Sequence, residues 1–339
     1  MMQTKRNKWV QPFRRNCCNN CNKMKIEDFK NKSFQLVKDI PLISPPKFTP
    51  LIADPTVLTP DETPDKRWYL FAHSVFGIQQ YVSENEVDWK KINLIVRSAM
   101  RPYIYKESNT YFLFYEKYNG LKLLFSFLPK QKWYSSIQMI SSNDLQHWSL
   151  PKTLIRPTLN FHQDVVLGKA VSNPCLIKTE NKYRLYFSAS LVKIPDCGFN
   201  EPLHITYAES DIVDGNYTCH NKPVISPTKE RKWNNLGAGS MKVLGCEDGF
   251  VAFQNGIYEH HGKSGSAICI LYSYDGMQWN YLQEEPILKP NPAITWMASH
   301  IYACDVKIYQ DKIYLYFNAR NHAHWSKGSE HIGLVIADL

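Results

Sequence analysis

Pro223-Val224-Ile225-Ser226-Pro227 is a phrase the chain repeats. It recurs as Pro41-Leu42-Ile43-Ser44-Pro45, Thr153-Leu154-Ile155-Arg156-Pro157 and Pro286-Ile287-Leu288-Lys289-Pro290, with a looser copy at Asn93-Leu94-Ile95-Val96-Arg97. The start positions 41, 93, 153, 223 and 286 are 52, 60, 70 and 63 residues apart, and 53 remain after the last. Self-similarity at such a period signals an array of like supersecondary units. Between the phrases lies an aromatic, alternating segment: Trp68-Tyr69-Leu70-Phe71-Ala72-His73, Tyr111-Phe112-Leu113-Phe114-Tyr115-Glu116, Tyr183-Arg184-Leu185-Tyr186-Phe187-Ser188, Phe250-Val251-Ala252-Phe253-Gln254-Asn255 and Ile313-Tyr314-Leu315-Tyr316-Phe317-Asn318. Aromatic and β-branched residues bounded by turn formers are strand material.

A short apolar strand precedes each aromatic one, and another follows it, at 77–83, 136–142, 204–210, 267–273 and 332–338. The recurring phrase is then the fourth strand, ended by proline. Four strands per unit and five units predict an all-β, five-bladed β-propeller. The fifth unit lacks its fourth strand because the chain stops at Leu339. The orphan phrase at 34–43 supplies it, so an N-terminal strand completes the last blade and closes the ring. The predicted blades span 50–97, 98–157, 170–227, 237–290, and 302–339 with 34–43. Residues 1–33 form a basic polar arm outside this ring.

Composition narrows the class. The 339 residues are 44% hydrophobic, enough for one large core, and the formal net charge is +9. Part of that charge sits in the arm between Lys5 and Lys32. It reads as a solvated tail, with no nucleic-acid-reading motif and no nucleic acid or membrane expected as partner. No signal-peptide core or apolar run of membrane-spanning length occurs, which places the expectation in the cytoplasm. Most of the nine cysteines stand singly in strands, as buried reduced thiols do. Cys17, Cys18 and Cys21 lack a partner pair at zinc spacing, so no metal site is assigned.

Blade geometry collects residues at one face. Starts of first strands, ends of second strands and interblade loops converge there. The polar residues so gathered include Asp54, His73, Arg101, Glu116, Asn173, His300, Asp305 and Arg320. Carboxylates from three blades would share one axial hollow. Burying them is costly unless they are paired, and crowding splits their pKa values, as an acid and base pair requires. Glycosidic cleavage uses such a pair. Asp54, Glu116 and Asp305 are the catalytic candidates. His73, Arg101, Asn173, His300 and Arg320 are candidate sugar ligands, and Trp233 or Trp296 a stacking floor.

Ala53-Asp54-Pro55-Thr56-Val57, the aromatic strand after it, and the Ser-x-Asp-x-x-x-Trp type turns resemble the five-bladed glycoside hydrolases of families 43, 32, 68, 117 and 130. The resemblance covers about residues 34–339. It implies a carbohydrate substrate and makes Asp54 the base or nucleophile. Two positions depart from the pattern. Asn173-Pro174 stands where the third blade often has Asp-Pro, and Ala238-Gly239-Ser240 stands where the fourth blade often carries the acidic Glu. Glu116, Asp305 or a histidine would then supply the acid, with Glu116 preferred. Glu116 is also similar to a residue of propellers attached to sugar transferases, which keeps a non-catalytic saccharide-binding role as the alternative. No cofactor is required. An axial calcium held by Asp54 and Asp305 is left open as an option suited to hard oxygen ligands.

Overall fold

Each recurring phrase closes a sheet. A computed structural model of the chain describes residues 24–120 and 132–339. In it Val96, Ile155, Ile225, Leu288 and Ile43 pair with Ile78, Ile137, Ile205, Ile268 and Ile332, at the same place on five third strands. The five sheets are the blades of a β-propeller. Blade one comprises Ala53–Leu58, Trp68–Ser74, Gly77–Ser83 and Lys90–Arg97. Blade two comprises Ala99–Glu107, Thr110–Tyr118, Trp133–Ser142 and Lys152–Ile155. Blade three runs Val171–Lys178, Tyr183–Ile194, Phe199–Ser210 and Thr218–Cys219, and blade four Gly237–Cys246, Gly249–His260, Lys263–Ser273 and Asn280–Tyr281. Blade five is His300–Tyr309, Lys312–Arg320 and Glu330–Asp338, completed by Gln35–Leu36.

The N-terminal segment does more than supply that strand. Met24, Ile26 and Phe29 are buried in the core shared by blades four and five. Asp248 accepts the Ile26 N–H at 2.9 Å, and the Met24 carbonyl accepts the Glu247 N–H at 2.8 Å. Docking therefore begins at least as early as Met24, inside the stretch expected to lie outside the ring. Cys17, Cys18, Cys21 and the most basic part of the arm lie outside the described residues.

The turns carry the interblade packing. Ser142 and Asp144, like Ser273 and Asp275, fold the chain by accepting backbone N–H groups two and three residues on. Each turn delivers a tryptophan against an inner aromatic of the preceding blade: Trp148 on Phe71, Trp279 on Tyr186 and Trp89 on Tyr316, with centroids 5.8 to 6.0 Å apart and near-perpendicular rings. Edge-to-face pairs of this kind add about 1 kcal/mol each beyond the area they bury.

All five first strands contain a bulge near their start, between 53 and 56, 100 and 103, 172 and 175, 237 and 240, and 301 and 304, at one register in blades one to three and displaced toward the strand start by two residues in blade four and by one in blade five. In four of them a residue takes the left-handed region: Asp54 at φ 51°, Arg101 at 53°, Asn173 at 49° and Gly239 at 61°. Non-glycine residues rarely stay there without support. The support comes from the ends of the second strands. Asn318 accepts the Asp54 N–H at 3.1 Å, and His73 lies 3.4 Å from the Arg101 N–H. Ser188 donates to the Gly239 carbonyl at 2.6 Å, and Asn255 to that of Ile301 at 2.9 Å. Each of these four reaches into the next blade, so ring closure and bulge geometry depend on one another.

Candidate active site

The bulges aim side chains at the axis. Asp54 and Arg101 remain partly open to solvent, and His73 stands between them. Its Nδ1 is 3.1 Å from Asp54 Oδ2, the shorter of its two contacts, so the ring donates to that carboxylate. Burial opposes ionisation of Asp54. The His73 hydrogen bond, with the positive charges of Arg101 and Lys242, outweighs it and holds the carboxyl below its usual range.

Glu116 is fully buried and has no free oxygen. Oε2 accepts from Arg101 Nη1 at 2.6 Å, and Oε1 from the Trp133 indole at 3.2 Å. Burial works against the Arg101 cation, but Glu116, Asp54 and Glu201 hold it firmly protonated. Asp305 sits two residues past the bulge, level with Thr56, Tyr103, Cys175 and Lys242, which pair with Phe71, Phe114, Tyr186 and Phe253 as Asp305 does with Tyr316. Its Oδ2 accepts from Thr56 Oγ1 at 2.9 Å and the Val57 N–H at 2.7 Å, joining blade five to blade one. Thr56 in turn accepts the Ile104 N–H at 3.1 Å. The blade-five residue at the bulge itself is Tyr302.

Two carboxyl groups absent from the sequence expectation enter the site. Glu201 projects from the blade-three hairpin, opposite Val192, on strands that run well past the ends read from the sequence. Among the described residues no hydrogen bond holds its carboxyl. Burial, helped by the charges of Glu330 and Asp54 and opposed by Arg101 and Arg320, pushes its pKa up to about 8. Glu330 opens the last strand. It accepts from Asn318 Nδ2 at 2.7 Å and lies 3.5 Å from Arg320. Burial raises its pKa despite the nearby Arg320. The turn Pro195-Asp196-Cys197-Gly198 was the signal for the long hairpin that carries Glu201.

The remaining expected residues fall differently. Asn173 faces the axis and donates to Ser188 Oγ at 3.2 Å. Arg320 is spent on its own loop, donating to the carbonyls of His322, His324 and Trp325. His300 is buried, with Nδ1 2.8 Å from Ser299 Oγ and Nε2 3.5 Å from Cys197 and Ser264. Burial pushes its pKa down to about 4. Trp233 and Trp296 form no stacking floor. Both lie in the hydrophobic core with their indole N–H groups on the Glu284 and Asp39 carbonyls at 2.9 Å, and Trp296 stacks on Phe317. The aromatic surface beside the site is Trp133, half-buried and stacked on Tyr118 with centroids 5.4 Å apart.

Among the described residues no group of three or more His, Cys, Asp and Glu side chains is placed to hold a metal ion. The two carboxylates considered for calcium do not form a cage: Asp305 Oδ2 is taken by Thr56 and Val57, and Asp54 Oδ2 by His73. Among the described residues no helix is long and apolar enough to cross a membrane.

Neither protein-family profiles nor curated proteins match the sequence. Solved structures do match the fold. A glycoside hydrolase from Parabacteroides distasonis superimposes with a TM-score of 0.63 at 13% identity, covering 93% of this chain and 99% of that one. A member of the GH130 family of mannoside phosphorylases, described with hydrolases that target β-1,2 mannosidic linkages, gives 0.62 at 15% identity, covering 94% and 97%. An exo-1,5-α-L-arabinanase from a bovine ruminal metagenomic library gives 0.55 at 13% identity, covering 85% and 92%. The chain thus has the five-bladed architecture of these carbohydrate-active proteins over nearly its whole length.

Proposed function

We propose that the chain cleaves a glycosidic bond, with Asp54 as the ionised base or nucleophile and Glu201 as the proton donor. The observation that carries this reading is the opposite environment of two carboxyl groups that act on each other electrostatically. One is hydrogen-bonded by His73 and surrounded by cations; the other is buried and unbonded. Pairs pushed apart in this way divide acid and base roles near neutral pH. Glu201 would pass its proton to the glycosidic oxygen as the bond to the anomeric carbon breaks. Asp54 would take a proton from the attacking water, or attack that carbon itself.

Glu116, the acid expected from sequence, is assigned instead to positioning Arg101. A carboxylate with both oxygens already accepting has no proton to give. Asp305 is assigned to ring closure. The substrate class follows from the site and from the architecture shared with glycoside hydrolases: an oligosaccharide or glycoside whose sugar hydroxyls meet Arg101, Asn173 and His73, with Trp133 as an apolar sugar-facing surface.

The test is sugar release from β-1,2-mannobiose, 1,5-arabino-oligosaccharides and a broader panel of disaccharides, followed by chromatography. Release by the wild type, abolished in Asp54→Asn with the thermal melt unchanged, supports the reading. Sugar binding without release in both proteins favours a non-catalytic lectin-like role. Equal release by both would refute the assignment of Asp54.

A further inference from the structure

Blade five breaks the pattern of the other bulges in an informative way. Its bulge is displaced by one residue toward the start of the strand: Tyr302 is the first unpaired residue, between Ile301 and Cys304, as Asp54 and Arg101 are the first in blades one and two, while Asp305 rather than Cys304 is level with Thr56 and Tyr103. The Tyr302 ring is fixed on both sides. It lies nearly parallel to His300, with centroids 5.6 Å apart and an interplanar angle of 14°, and it packs on Phe199 at 6.1 Å. Tyr302 is 8% exposed, yet among the described residues its hydroxyl has no hydrogen-bond partner. The Cys197 thiol is close enough to be influenced by it, but a thiol is a weak acceptor, this one already contacts Ser264 and His300, and no contact with Tyr302 meets hydrogen-bond geometry.

A buried hydroxyl without a partner is costly, because it has given up water and gained no acceptor. Such groups are rare and mark places where something outside the chain completes the bonding. The Tyr302 ring packs on Phe199, which lies two residues before Glu201 on the same strand and so on the same face of it, and Glu201, Glu330 and Arg320 are charges that act on the phenol. It therefore points toward the same group of residues as the unbonded Glu201 carboxyl. A phenol and a carboxyl, each without a hydrogen-bond partner among the described residues, thus lie near one another.

We infer that the Tyr302 hydroxyl is a ligand-binding group of the axial site, donating to a hydroxyl of a bound sugar beside the linkage that Glu201 protonates. This deepens the glycosidase reading and rests on it for the position of the linkage. It also predicts a preference. A site with such a donor discriminates against a sugar lacking the matching hydroxyl, because binding the deoxy analogue leaves the phenol unpaired.

Tyr302→Phe isolates the claim, since it removes only the hydroxyl and keeps both ring contacts. The measurement pairs thermal melting with sugar binding by titration calorimetry, using free mannose, arabinose, galactose and N-acetylgalactosamine as probes. Without sugar, the variant is expected to melt at or slightly above the wild-type temperature, because no intramolecular bond is lost. With the sugar that binds the wild type best, affinity is expected to fall roughly threefold to tenfold, the value of one hydrogen bond. Cys197→Ala, which leaves the phenol in place, should bind that sugar as the wild type does. A lower melting temperature with unchanged affinity would show a structural hydroxyl and overturn the inference. Unchanged affinity with an unchanged melt would overturn it too, as would a wild type that binds none of the four. Weakened binding in a protein that releases no sugar would retain the inference while removing the catalytic reading.

Discussion

Arg101 Nη1 and Glu116 Oε2 are 2.6 Å apart, and the second Glu116 oxygen accepts the Trp133 indole. The pair lies at the inner end of blade two, so the guanidinium is presented to the axis by a carboxylate that itself never reaches solvent. Replacing Glu116 by Gln should leave a largely buried cation without its counter-charge. Loss of one member of a buried pair costs about 3 kcal/mol. Urea denaturation should show a loss of that order in Glu116→Gln. Glu201→Gln, which removes no hydrogen bond, should be as stable as the wild type at neutral pH or more so.

The acid role of Glu201 predicts an alkaline limb. Its proton must be present for turnover, and burial puts its pKa at about 8. The rate should therefore fall about tenfold per pH unit above that value, while Asp54, held below its usual range, keeps the base ionised throughout. Folding carries the same signature. A carboxyl whose folded pKa is raised stabilises the protein fully below its unfolded value, near 4.5, and loses that contribution as pH rises through about 8. Denaturation midpoints from pH 5 to 9 should decline in the wild type and flatten in Glu201→Gln.

Acid should weaken the ring through two histidines. Burial holds His162 and His300 at about 4. A base whose folded pKa is depressed contributes stability that is complete above its unfolded value, near 6.5, and is lost as pH falls through about 4. His162 Nε2 is buried without a partner among the described residues, so His162→Leu should reduce the slope of stability against pH across this window. An unchanged slope would rule out His162 as a source.

Ring closure by the N-terminal segment predicts its own cost. Phe29 is buried against Phe253, with centroids 6.2 Å apart. Phe29→Ala should cost about 3 kcal/mol, in the range for large-to-small core changes. Removing residues 24–43, and with them the strand Gln35–Leu36, should abolish cooperative unfolding by calorimetry. A truncated protein that still melted in one sharp transition would mean that the ring holds without this closure.

The repeat made the architecture legible because every copy plays the same part in its blade: the central residue of four copies, and Val96 of the looser one, pairs with an isoleucine on the third strand. Asp54 was legible for a similar reason, since it stands at the start of a first strand, in the Ala53–Val57 stretch that carries the resemblance. Glu201 was not. Its place depends on how far a hairpin extends beyond the common strand length, which only the turn at 195–198 marks. Asp305 misled because two residues along a strand is one full pleat, and the side chain lands deeper in the axis on the same face. The polar residues that end other second strands have a structural use: the hydrogen bonds of Ser188, Asn255 and Asn318 hold the next blade's bulge.

The most direct measurement of the central claim is the leaving-group dependence of Glu201→Gln. Using the sugar that the wild type releases, rates would be compared on aryl glycosides from 2,4-dinitrophenyl to unsubstituted phenyl. The account predicts a rate within about tenfold of wild type on the dinitrophenyl glycoside, which needs no protonation, and a loss of about 10²- to 10⁴-fold on the phenyl glycoside. Asp54→Asn should lose activity on both. An equal effect of Glu201→Gln across the series, or none on the phenyl glycoside, would contradict the assignment of Glu201 as the acid.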